Sequence, residues 1–162
     1  MGARERALAY AVQRHLKPVF TLALYLAKCN MATAYQVTLE SFGEIVHHTL
    51  TDGEQALLRQ LLQAVVRRCR GVTPTSFPAD AEFFRLLEVK KDALPFVRQA
   101  LFLLDFDSRA LVLLRDQINV SYEDIGAILG LDPKKVKLET AAARVRLRDK
   151  MEEVLNRVKG PP

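Results

Sequence analysis

The sequence predicts an all-α fold of two small helical modules joined by a linker. Apolar residues recur at steps of three and four, through Leu8, Val12 and Leu16 and again through Leu22 and Leu26, which is the period of one helix face. Strand signals are almost lacking. Glycine, proline and capping residues then divide the chain into successive helical segments. Its 162 residues suffice for one ordinary domain or for two small ones with modest cores.

Pro18 is expected to end or kink the first helix near Leu16, after which Val19 to Cys29 resume helical geometry. A second helix is expected over Met31 to Thr49, with Val37, Leu39, Phe42, Ile45 and Val46 as its apolar positions and Thr51-Asp52-Gly53 as the following turn. The third runs from about Glu54 to Arg70 on a stripe of Leu58, Leu61, Leu62, Val65 and Val66. It ends in Arg67, Arg68 and Arg70 before Gly71, the favourable order for a helix C-terminus. Residues 1–71 make the first module. Residues 72–91 read as the linker, because prolines, Ser and Thr crowd its first half. Phe77, Phe83, Phe84, Leu86 and Leu87 make it too apolar for a solvated tether, so part of it should pack on a module.

The second module, residues 92–159, begins near Leu94-Pro95, and Asp105 or Asp107 can cap the helix carrying Ala110, Leu111, Leu113 and Leu114. Ser121, three residues before Asp124, is a weak capping box for a helix from Tyr122 to Leu129 that stops at Gly130. Asp132-Pro133 then opens a last helix reaching about Arg157, with the proline where its missing N–H costs nothing. A short helix, a break at Gly130-Leu131-Asp132 and a longer helix have the spacing of a helix-turn-helix. Gly126 would permit close approach of the pair, with Ile125, Leu129, Leu131 and Val136 on the packed faces.

From Pro133 to Lys150 seven basic residues (Lys134, Lys135, Lys137, Arg144, Arg146, Arg148, Lys150) stand against Glu139 and Asp149, a local surplus equal to the whole chain's +5. Such a helix places its first turns in the major groove while basic side chains hold phosphates. Lys134, Lys135 and Lys137 are thus phosphate or base-edge candidates. Other chemistries lack a constellation. Cys29 and Cys69 have no second ligand at metal spacing and are expected as reduced, buried thiols. The adjacent His47 and His48 point about 100° apart on a helix, so they form no ligand pair on one face. No nucleophile motif or phosphate loop occurs, so neither catalysis, a metal nor a cofactor is indicated. Phe96, Phe102 and Phe106 read as core. No stretch has the apolar run of a signal peptide or membrane span, which predicts a cytoplasmic protein.

The run LLDFDSRALVLLRDQINVSYEDIGAILGLDPKKVK resembles region 4 of the extracytoplasmic-function sigma factors of bacterial RNA polymerase. Leu104, Arg109, Leu113, Leu114, Arg115, Ser121, Tyr122, Glu123, Asp124, Ile125, Gly126, Leu129, Gly130, Val136 and Lys137 carry the match, continued by Arg144, Leu147 and Arg148. The resemblance implies recognition of the upstream promoter element, with Ser121, Tyr122, Lys134, Lys135, Lys137, Glu139, Thr140, Arg144 and Arg148 at the DNA. Departures fall where sequence is read: Leu138-Glu139-Thr140 and Ala142 replace Ser-Arg-Leu and a further Arg. Glu139 would meet phosphates unfavourably, accept from a cytosine amino group, or turn away and pair with Lys135.

Residues Leu8 to Arg70 resemble region 2 of the same family more faintly. Of the segment that grips the polymerase clamp, Glu40 and Phe42 remain, whereas Thr33, Tyr35 and Gln36 stand at acidic positions and Leu39 replaces Gln. The resemblance makes Gln36, Leu39 and Glu40 candidates for contact with polymerase or another partner. Leu58 and Leu61 occupy positions where the family places promoter-opening aromatics. The expected function is a sigma factor or sigma-like subunit that brings core RNA polymerase to promoter DNA. The alternatives are a degenerate sigma-like protein that binds an anti-sigma factor or another sigma factor without initiating transcription, and a stand-alone helix-turn-helix regulator.

Overall fold

The computed structural model describes residues 2–28, 30–46, 53–72 and 94–160. Among these residues the chain is all-α, with seven α-helices and no strand: α1 (Ala3–Leu26), α2 (Met31–Val46), α3 (Glu54–Arg70), α4 (Leu94–Leu103), α5 (Phe106–Val112), α6 (Tyr122–Leu129) and α7 (Pro133–Lys159). The expected linker beyond Val72, His47, His48, the Thr51-Asp52 part of the turn and Cys29 lie outside the described residues. No helix among the described residues is long and apolar enough to cross a membrane.

Helix α1 does not end at Leu16. It continues through Pro18 to Leu26, although an interior proline removes one backbone bond at a cost of roughly 3 kcal/mol. The offset lies just downstream, where Val19, Leu22, Ala23 and Leu26 are all buried, each larger apolar side chain contributing roughly 1.5–3 kcal/mol. Helices α1, α2 and α3 pack pairwise on one another. The Asn30 carboxamide opens α2 by accepting the Thr33 N–H at 3.0 Å. Thr38 and Ser41 are buried on α2, and their hydroxyls donate back to the carbonyls of Ala34 and Val37 at 2.7 Å, so neither leaves an unmet polar group inside.

In the second half Asp105 is the cap: its carboxylate accepts the Ser108 N–H at 3.1 Å and starts α5. That helix widens into a π-helical turn over Leu113–Gln117, closed by a bond from the Ile118 N–H to the Leu113 carbonyl at 3.0 Å. Helix α7 packs against α4, α5 and α6 through Val136, Thr140, Ala143 and Leu147. The two halves also touch. Helix α3 lies on α6 and α1 meets α5, and buried residues of α1–α3 and of α4–α7 belong to one continuous apolar cluster.

Candidate nucleic-acid interface

The α6–α7 pair is built by four local devices. Ser121 Oγ accepts the Asp124 N–H at 3.1 Å and starts α6. Gly130 ends it in the left-handed conformation, φ 69°, which an L side chain adopts at a cost of roughly 1–2 kcal/mol. Asp132 then accepts the Lys134 N–H at 2.9 Å, with Pro133 in the first helical turn. The fourth device is Gly126: the Leu131 N–H donates to its carbonyl at 2.8 Å, and a Cβ there would lie 2.6 Å from the Leu131 carbonyl oxygen. Ile125 and Val136 are fully buried where the helices meet, and Leu129 and Leu131 are half-buried beside them.

The π-helical turn supplies the flank. Its Arg115 donates to the Val120 carbonyl at 3.0 Å and lies over the Tyr122 ring, 4.4 Å from the centroid. Asp116, its neighbour, grips Arg144 of α7 through two bonds of 3.0 and 2.5 Å, and the pair raises the Arg144 guanidinium above its ordinary value through that hydrogen bonding. At the junction of the halves Arg109 is buried, donating to the Leu104 carbonyl at 3.2 Å. Burial depresses it below the ordinary arginine value, opposed by Asp105. Cys69, also buried, has its thiol pushed up to about 12 by burial, so it serves as a core side chain.

The seven basic residues of α7 between Pro133 and Lys150 fall into two groups. Arg144 is held by Asp116, Arg146 by the Ser108 hydroxyl at 3.0 Å, Arg148 by Asp149 at 3.2 Å and Lys150 by Glu153 at 3.0 Å. Lys134, Lys135 and Lys137 are exposed and, among the described residues, form no ion pair. Three lysines without an ion pair therefore stand on the first two turns of α7, next to the backbone N–H groups of its N-terminus. The chain matches no family model and no curated protein.

One expectation for this helix needs correction, and one of the three alternatives for Glu139 falls away. Thr140 is fully buried, with its hydroxyl donating to the Val136 carbonyl at 2.7 Å, so it cannot face a base edge; it occupies the packed face set by Val136 and Ala143. Glu139 is exposed and does not pair with Lys135, which leaves its carboxylate in solvent. The outward face is instead formed by Leu138, Ala141 and Val145, which none of the sequence expectations marks as a surface. Their signal is nonetheless present: they sit at three- and four-residue steps, half a turn away from Val136, Thr140, Ala143 and Leu147. The Asp116–Arg144 pair joins distant segments and has no local signature.

On the first half, Gln36, Leu39 and Glu40 lie together on the exposed side of α2. Glu40 is already engaged, accepting from Gln36 at 2.9 Å and from Arg68 at 2.6 Å. Glu44 accepts from Arg67 and Arg68, and the Arg67 hydrogen bond holds its carboxyl below the usual range. Met31, Tyr35 and Leu39 project into solvent one turn apart, so this face is apolar with neutralised acids at its edge. Leu61 is wholly buried and Leu58 half-buried. Leu61 is a core residue, closed to contact with an opened base.

Proposed function

We propose that this protein is a sigma factor or sigma-like subunit that binds DNA through α6–α7 and directs bacterial RNA polymerase to promoters. The observation that carries the reading is the set of three lysines on the first turns of α7, without ion pairs among the described residues, in a helix pair held close at Gly126. Phosphate binding there releases counterions from the duplex, while the fixed pair sets how far the helix enters the groove. Arg144 and Arg148 join from exposed ion pairs. Trading such a carboxylate for a phosphate costs at most about 1 kcal/mol. Run-off transcription with core polymerase tests the proposal: promoter-dependent transcripts and co-elution with core are expected, and loss of both would remove the initiating role.

The face of α2 favours a second reading, a sigma-like protein that binds an anti-sigma factor or another sigma factor. An exposed apolar strip whose neighbouring acids are already paired suits a partner recognised by burial of apolar surface. Tight binding to such a partner together with no transcription would select this reading over the first.

A further inference from the structure

The outward side of α7 is an apolar strip set between cations. Leu138 is 73 % exposed and Val145 48 %, and with exposed Ala141 they follow one another at three- and four-residue steps. Lys134 lies one turn before Leu138, Lys137 beside it, and Arg148 three residues beyond Val145. The strip from Leu138 to Val145 is about 10 Å long at 1.5 Å per residue, which matches roughly three base pairs at 3.4 Å each. Leu, Ala and Val neither donate nor accept hydrogen bonds. Pressed against a guanine, adenine or cytosine edge, they would strip water from N7, O6, N6 or N4 without replacing it, which is unfavourable. The major groove offers one apolar group, the C5-methyl of thymine.

Building on the DNA-binding reading above, we infer that α7 selects duplexes that present thymine methyl groups to Leu138, Ala141 and Val145, with Lys134, Lys135 and Lys137 on the adjoining phosphates. Charge complementarity orients the strip: the lysines draw its first turn to the backbone, and the methyl contacts then choose the sequence. With Thr140 buried, no hydroxyl competes on this face.

The test uses the full chain and duplexes selected from a random library, with affinities measured at one fixed salt concentration. Replacing thymine by deoxyuracil in the selected site deletes the methyl group and keeps every hydrogen-bonding atom. Removing each methyl that the strip touches should weaken binding about fourfold. Leu138→Gln, a surface change that leaves the packed face alone, should lose this discrimination at its own position and turn the preference there toward adenine, which a glutamine pairs bidentately. Equal affinity for thymine and deoxyuracil duplexes would overturn the inference while leaving DNA binding in place. Failure to bind any duplex would overturn both.

Discussion

Lys134, Lys135 and Lys137 differ from Arg144, Arg148 and Lys150 behind them on α7 in having no ion pair among the described residues. Every phosphate that one of them neutralises should therefore register directly in the salt dependence of binding. Lys137→Ala is expected to weaken binding to specific and random duplexes alike and to lower the salt slope by about one; an unchanged slope would place Lys137 away from the backbone. His15 makes a second residue-scale case. It is buried between α1 and α3 with Nε2 3.8 Å from Glu54 Oε1, and Arg14 pairs with the same carboxylate. Burial holds its pKa below the ordinary 6.5, outweighing Glu54, which raises it, and aided by Arg14. A cationic group depressed in the folded state binds its proton more readily when unfolded, so stability falls as the pH drops below 6.5. Above that value the ring is neutral in both states and contributes no slope. The urea midpoint should decline less from pH 7 to pH 5.5 in His15→Met than in the native protein; identical declines would show that His15 is not the group responsible.

At the scale of the element, α6–α7 depends on one close approach. Gly126→Ala puts a methyl 2.6 Å from the Leu131 carbonyl oxygen, a backbone atom with no flexible end to move aside. Forcing the helices apart should cost about 1–3 kcal/mol and shift the lysines relative to the groove, so urea unfolding and DNA affinity should both suffer. Unchanged stability and unchanged affinity would mean that the pair re-closes around the methyl. The helix ends here were legible because they are local: Ser121, Gly130, Asp132 and Pro133 each act within four residues of themselves. The passage of α1 through Pro18 was not, since propensity assigns the proline a penalty and only the buried Val19, Leu22, Ala23 and Leu26 show what outweighs it. The same limit applies to Thr140. A threonine in a basic helix looks like a reader of bases until its hydroxyl is seen bonded one turn back to the Val136 carbonyl.

At the scale of the whole molecule, periodicity tells which side of a helix is buried but not which helix buries it. The sequence reads Phe102 as core without saying what it packs on; in the structure its ring lies 6.0 Å from that of Tyr25, where the halves meet. Elsewhere between the halves Arg70 pairs with Asp107 at 2.7 Å and lies over the Phe106 ring at 4.8 Å, while Gln55 and Arg59 reach Asp124 on α6 at 3.3 and 3.5 Å. The polar contacts are exposed or partly so and contribute about 0–1 kcal/mol each. The apolar ones decide whether the halves unfold together, because the buried side chains of both form one cluster. Phe102→Ala removes a buried ring where the halves meet and should cost about 3–5 kcal/mol. Hydrogen exchange resolves where the loss is felt. If the halves share their stability, the slowest amides of α2 and of α7 should lose protection by the same factor, in one cooperative transition. Protection lost in α4–α7 and retained in α1–α3 would show instead that the shared cluster joins two units that fold separately.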